Sequence, residues 1–207
     1  MEKQTSSRYS LSFTSGALLM QEALSATPIY TEVQDWSLVR EALESGNLLQ
    51  ARTHSSSVRR AREVCHRLAF LSDQEISYFL DTTATERRYL LWIAACRRYP
   101  FIGEFAEEVL RERFIVMAGT VNHGDFDSFL RSRALWHEEV ANLKESTAKK
   151  IRSNIFRMLM DTGMLEADGR IVSPVLTRSF MELLDSRTPS DLRFFPVIVG
   201  IMNSKAG

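Results

Sequence analysis

Net charge, disulfide-forming cysteine and long apolar runs are all missing from this chain. Lysine plus arginine number 26 and aspartate plus glutamate 26, so the molecule as a whole steers no charged partner. A face that binds polyanions must therefore come from local separation of sign. Cys65 and Cys96, the only two cysteines, form no CxxC pair and no disulfide framework, which points to a reducing cytoplasm. The longest apolar stretches are Tyr89–Cys96 and Phe194–Met202, the latter broken by Pro196 and Gly200. Neither approaches the roughly 20 residues of a spanning helix. The beginning, "MEKQTSSRYSLSF", has no apolar core of signal-peptide length. The expectation is a soluble, cytoplasmic protein without membrane contact.

Catalytic signatures are equally scarce. There is no GxGxxG, no P-loop and no nucleophile elbow. "WHEEV" at Trp136–Val140 lacks the second histidine of a zinc-protease motif. "NHGDFD" sets His123, Asp125 and Asp127 two residues apart, a spacing compatible with a metal-dependent nuclease. With no second carboxylate motif, Asp125 or Asp127 is better read as the cap of the helix that follows. Cys65 beside His66 reads as a core thiol and a helix-surface histidine, and Tyr89, Trp92, Tyr99, Phe101 and Phe105 read as core. No catalytic residue, metal or cofactor is assigned.

What is present is helical periodicity. Apolar residues recur at three- and four-residue spacings over most of the chain, and the 44% hydrophobic, 25% charged composition is that of a globular protein. Helices are expected over Ser10–Ala26, stopped by Pro28; over Val33–Glu44, with Gly46 as C-terminal cap; and over about Ser56–Leu71. The aromatic-rich centre from Asp73 to Leu143 is also helical, and it holds the acid that balances the cations elsewhere. Between Glu104 and Glu145 stand nine acids and five bases. The tail, broken by Pro189 and Pro196, packs back as short helices.

The most informative stretch is "ESTAKKIRSNIFRMLMDTGMLEADGRIVSP", Glu145–Pro174. Ser146 or Thr147 is positioned to cap a helix. Ala148, Ile151, Ile155 and Met158 then make one buried stripe, while Lys149, Lys150, Ser153 and Arg157 project from the other side and Arg152 flanks the boundary. Gly163 ends the helix. In "MLEADGRIV" the Asp168-Gly169 pair suits a two-residue β-hairpin. Cationic helix, glycine and short hairpin come in the order of a winged helix-turn-helix, with Arg170 near the wing tip.

The signal recurs. "SSVRRAREVCHRL" (Ser56–Leu68) aligns without gaps on "STAKKIRSNIFRM" (Ser146–Met158). Arg59, Arg60, Arg62 and Arg67 correspond to Lys149, Lys150, Arg152 and Arg157, and the stripe Val58, Ala61, Cys65 and Leu68 corresponds as well. Two cationic helices suggest a two-point grip on a nucleic-acid backbone. The candidate contacts are Ser56, Ser57, Arg59, Arg60, Arg62 and Arg67 in the first helix. In the second they are Lys144, Ser146, Thr147, Lys149, Lys150, Arg152, Ser153 and Arg157, with Arg170 on the wing.

Three blocks carry a family resemblance: "LLQARTHSSSVRRAREVCHRL", "RRYLLWIAACRRYPFIGEFAEEVL", and "STAKKIRSNIFRMLMDTGML" followed by "GRIVSP". Over most of residues 10–185 the chain resembles the BrxA family of the BREX bacteriophage-exclusion systems. The resemblance implies double-stranded DNA binding and no catalytic activity. It also implies action beside other BREX components, such as a DNA methyltransferase and an alkaline-phosphatase-like protein.

The expected fold is mainly α. It comprises an N-terminal helix-turn-helix-like unit (1–72), a helical centre (73–143), and a winged helix-turn-helix-like unit with a short β-hairpin (144–207). Two functions of different kinds follow: a DNA-binding component, of which a transcriptional regulator is a variant, or a scaffold whose cationic helices meet acidic partner proteins.

Overall fold

The computed structural model describes residues 8–13, 17–46 and 48–198. Its architecture is helical: α1 Met20–Val33, α2 Trp36–Ser45, α3 His54–Leu68, α4 Asp73–Asp81 and α5 Ala84–Arg98. These are followed by α6 Pro100–Phe105, a wide π-helical turn Ala106–Arg111, α7 Glu112–Ile115, α8 His123–Ala134, α9 Glu138–Ala141, α10 Glu145–Thr162 and α11 Arg178–Asp185. A 3₁₀ turn at Asp191–Phe194 closes the described chain.

α5 is the centre. Tyr89–Cys96 is buried without interruption, the pattern of a helix enclosed on all sides rather than amphipathic. It packs on α3, α10, α4, α1 and the 3₁₀ turn. Trp92 has no exposed surface, and its indole N–H donates to the Phe194 carbonyl at 3.0 Å. Tyr99, Phe101 and Phe105 are core as well, and the buried apolar residues form one cluster from Tyr9 to Val197.

A buried ion cluster fixes the tail to this centre. The Arg97 guanidinium donates to Glu75 at 2.5 and 2.8 Å, to Asp191 at 2.5 and 3.1 Å, and to the Phe70 carbonyl at 2.8 Å. Burial alone would raise the Glu75 pKa. The hydrogen bonds from Arg97 and from the Ser72 backbone outweigh it and hold the carboxyl below its usual value.

Several local expectations need correction. The first helix runs over Met20–Val33, not Ser10–Ala26, and passes through Pro28 instead of stopping at it. Pro28 offers no N–H to the Leu24 carbonyl. Hydroxyls brace the helix around it, Thr27 bonding to the Ala23 carbonyl at 2.9 Å and Thr31 to the Pro28 carbonyl at 2.7 Å. α3 begins two residues early, at His54, because Thr53 caps it, and ends at Leu68. α8 is capped by Asn122; Asp125 supplies the reciprocal bond of a capping box, and Asp127 takes no capping part.

The stripe of α10 is as the sequence suggests at three of its four positions, Ala148 being half-buried. Ile151, Ile155 and Met158 are buried, and Gly163 ends the helix at φ +77°. Ile155→Ala is expected to destabilise the protein by about 2–5 kcal/mol in a denaturant melt. A change near zero would show that the stripe is not core.

In place of the two-residue hairpin there are isolated bridges around a longer turn. Isolated bridges join Leu165 to Ile171 and Thr120 to Arg170. Glu166 N–H donates to the Arg170 carbonyl and Gly169 N–H to the Glu166 carbonyl, each at 2.9 Å, which encloses a three-residue loop, Ala167–Gly169. Of the Asp168-Gly169 pair only Gly169 takes positive φ, +87°. A Cβ there would sit 2.7 Å from the Val121 carbonyl oxygen, because residues 119–121 pair along the outer side of the turn.

Candidate nucleic-acid interface

α10 carries its cations on one side. At about 100° per residue, Ser146, Lys149, Lys150, Ser153 and Arg157 share a sector of about 100° facing away from the core, and all five are exposed. Lys150 and Arg157 make no ion pair among the described residues; Lys149 meets Glu145 one turn earlier at 2.6 Å. Ser146 and Thr147 do not cap the helix. Lys144 occupies the N-cap position without a side-chain bond, and the two hydroxyl residues lie inside the first turn, both exposed. Arg152 is turned toward α8, where Asp127 accepts from it at 2.8 and 3.1 Å, leaving its side chain 18% exposed. Arg170, on the turn, is exposed and paired with Glu166.

α3 presents a narrower face. Arg59 and Arg62 are exposed and share a sector of about 60° with the half-buried His66. Arg59 donates to the Ser55 carbonyl at 3.2 Å and makes no ion pair among the described residues. Arg60 lies on the flank and reaches Glu22 of α1 at 3.3 Å. Ser56 is half-buried.

Two candidates leave the surface altogether. Ser57 is buried against the core. Arg67 is 2% exposed, donating to Glu63 at 2.8 Å and to the Ala17 carbonyl at 2.9 Å, with the Met158 sulfur at 3.8 Å. Glu63 also accepts from the Tyr99 hydroxyl, so this arginine ties α3 to α5 and α10. Its alignment with Arg157 misled because equal spacing along two helices does not give equal burial.

The tertiary structure also brings cations from outside the two candidate helices to the α3 face. Burial lowers the His66 pKa, and the guanidinium groups of Arg62, Arg98 and Arg40 lower it further. Arg40 comes from α2 and Arg98 from the end of α5, where it lies 5.0 Å over the Tyr99 ring. The basic "RR" in "CRRYPF" was the available signal, but only α5 packing against α3 brings Arg98 to this face. The opposite adjustment occurs in the acidic centre. Glu104, Glu107, Glu108, Asp125 and Asp127 are each paired with an arginine, so much of that acid is neutralised within the fold.

α3 and α10 approach each other across the segment before α1. From one side Arg67 holds the Ala17 carbonyl of that segment and Arg60 holds Glu22 in the first turn of α1. On the other, the Leu18 backbone hydrogen-bonds Asp161 of α10, whose carboxyl burial nonetheless raises above its usual pKa.

Among the described residues no three His, Cys, Asp or Glu side chains converge as metal ligands, and the buried Cys65 thiol is pushed up to about 12 by desolvation. No helix among the described residues is long and apolar enough to cross a membrane.

A family model described as BrxA matches residues 7–188. The chain is similar to "BREX protein BrxA" of Escherichia coli O9:H4 (strain HS), 21% identical over 155 residues, 75% of this chain and 73% of that protein. It is also similar to "BREX protein BrxA" of Bacillus cereus (strain H3081.97), 24% identical over 165 residues, 78% and 82% of the two chains. A crystal structure of an uncharacterized protein from Magnetospirillum magneticum shares the fold with TM-score 0.77 and 21% identity, covering 92% of this chain and all of that one.

Proposed function

The chain belongs to the BrxA family, and from that premise we propose that it is a non-enzymatic, double-stranded DNA-binding component of BREX phage defence. In this reading α8, α9 and α10 make a helix-turn-helix with α10 as recognition helix, and the Glu166–Arg170 turn is a minimal wing. The paired segment at residues 119–121 joins the wing to the start of α8, so the DNA-binding unit reaches back beyond residue 144. α3 adds a second contact through Arg59 and Arg62. The protein works in the cytoplasm beside other BREX components, such as the methyltransferase and the alkaline-phosphatase-like protein.

One observation carries the reading: Arg59, Arg62, Lys150 and Arg157 reach solvent on two helices without an ion pair among the described residues, while five of the nine central acids are paired with arginine. Such unpaired cations suit phosphate contacts. Gel shift against a random duplex tests it. Four phosphate contacts predict a log-log salt slope of about −3.6, a loss of roughly a hundredfold between 50 and 200 mM salt. No shift at low salt would favour a protein-binding scaffold instead. That alternative draws on the neutralisation of Arg60, Lys149, Arg152 and Arg170 by nearby carboxylates. A large preference for one sequence would mark a transcriptional regulator.

A further inference from the structure

Between α8 and α9 the chain turns two large apolar side chains outward, Leu135 at 76% exposed and Trp136 at 80%. Trp92 is wholly buried and Trp36 is half-buried against Tyr30, so Trp136 is the one exposed tryptophan among the described residues. An indole left in water is unfavourable unless a ligand covers its ring. The backbone beneath it is fixed on both sides. The Trp136 and His137 N–H groups both donate to the Arg133 carbonyl, at 3.1 and 3.0 Å. Arg133 is paired with Glu104 and Glu108, and the buried His137 stacks on Tyr9 at 3.9 Å. Little backbone order is therefore lost when something stacks on this ring.

Its place relative to α10 follows from the packing. Asp127 of α8 accepts from Arg152 of α10, and further along α8, Arg131 and Ala134 share an open cleft with Glu145 and Lys149 from the first turns of α10. The two helices thus run antiparallel, and Leu135 and Trp136 emerge where α10 begins. The wing lies toward the other end, paired with residues 119–121 that lead into α8. A nucleic acid lying along Lys150 and Arg157 and continued past the start of α10 meets the indole.

The charge there suits phosphate, and the ring suits a base. Arg131 is bonded to the Ser128 hydroxyl at 2.9 Å and has no ion pair among the described residues. Lys149 is paired with Glu145, but the two side chains are 61% and 82% exposed, and so open a pair yields readily to a phosphate. Glu138, exposed two residues beyond the ring, turns phosphates toward the Arg131 side. Duplex grooves show base edges, whereas an aromatic face stacks on a base that has left its helix. We propose that Trp136 is a stacking platform for unpaired bases, with Arg131 and Lys149 meeting phosphates of the same strand. The proposal rests on the DNA-binding reading above and narrows its ligand to a duplex that continues as a single strand at the start of α10, as at a fork or an overhang.

Fluorescence anisotropy of a labelled random duplex, blunt or carrying an oligo-thymidine overhang at its 5′ or 3′ end, tests it. One of the overhangs is expected to tighten binding about fivefold or more, the effect of one base stacked on an aromatic ring. Trp136→Ala loses that advantage with an unchanged melting temperature, and Trp136→Phe keeps part of it. Arg131→Gln makes the salt slope shallower by about 0.7 on the overhang substrate and leaves it unchanged on the blunt one. Oligo-thymidine alone quenches the tryptophan emission of the wild type but not of Trp136→Phe. Equal affinity for blunt and overhang substrates, or an advantage that survives Trp136→Ala, overturns the proposal while blunt-duplex binding keeps the DNA reading standing. Overhang binding without blunt-duplex binding does the reverse. An indole that no nucleic acid quenches also overturns the proposal and assigns this ledge to a protein partner.

Discussion

Arg97→Leu destabilises the protein by about 3–5 kcal/mol, the largest single-residue effect expected, because it leaves Glu75 and Asp191 as buried carboxylates without a counter-charge. Both acids are almost fully buried, and the lost guanidinium also bonds the Phe70 carbonyl. The damage spreads along the chain: Glu75 belongs to the capping box of α4, and Asp191 begins the 3₁₀ turn that covers α5. Denaturant melts measure the loss. The triple variant Arg97→Met, Glu75→Gln, Asp191→Asn recovers much of it, since removing the whole cluster leaves no orphaned charge. If Arg97→Leu costs less than about 1 kcal/mol, the cluster does not hold the tail.

pH provides a second reading of the same cluster. The folded Glu75 carboxyl lies below its ordinary value of 4.5. Its ionised form is therefore favoured by folding, and the stability it contributes is complete above the unfolded value. That stability is lost as pH falls from there through the folded value. Wild-type stability should thus decline below about pH 4.5, and the decline should be shallower in Arg97→Leu, where the partner that depresses the pKa is gone.

The second large effect is on DNA. Lys150→Glu with Arg157→Glu removes two unpaired cations and places anions opposite phosphates. Affinity for a random duplex is expected to fall at least about tenfold, with the salt slope shallower by about 1.8. Both side chains are exposed and outside the core, so the melting temperature should stay within about 2 °C. Arg67→Gln gives the converse result, a lowered melting temperature, because that guanidinium holds Glu63 and the Ala17 carbonyl inside the protein. Wild-type affinity in the charge-reversed double variant would remove the outer face of α10 from the interface.

The sequence alone determined what depends on neighbours along one helix. The stripe Ile151, Ile155 and Met158, the stop at Gly163, the enclosure of Tyr89–Cys96 and the resemblance carried by three ordered blocks were all legible, since periodicity and caps are local. Pro28 was misread because a proline's cost is local while the packing that outweighs it is not: Ala23, Ala26 and Thr27 of the same helix are buried in the core. The fate of each cation was likewise a tertiary matter. Arg67 and Arg62 have similar surroundings in sequence, yet one closes a buried bridge among α3, α5 and α10 while the other faces water. Charge is written in the chain, but exposure and pairing depend on which distant side chain arrives within about 4 Å, and that is settled only when the helices pack.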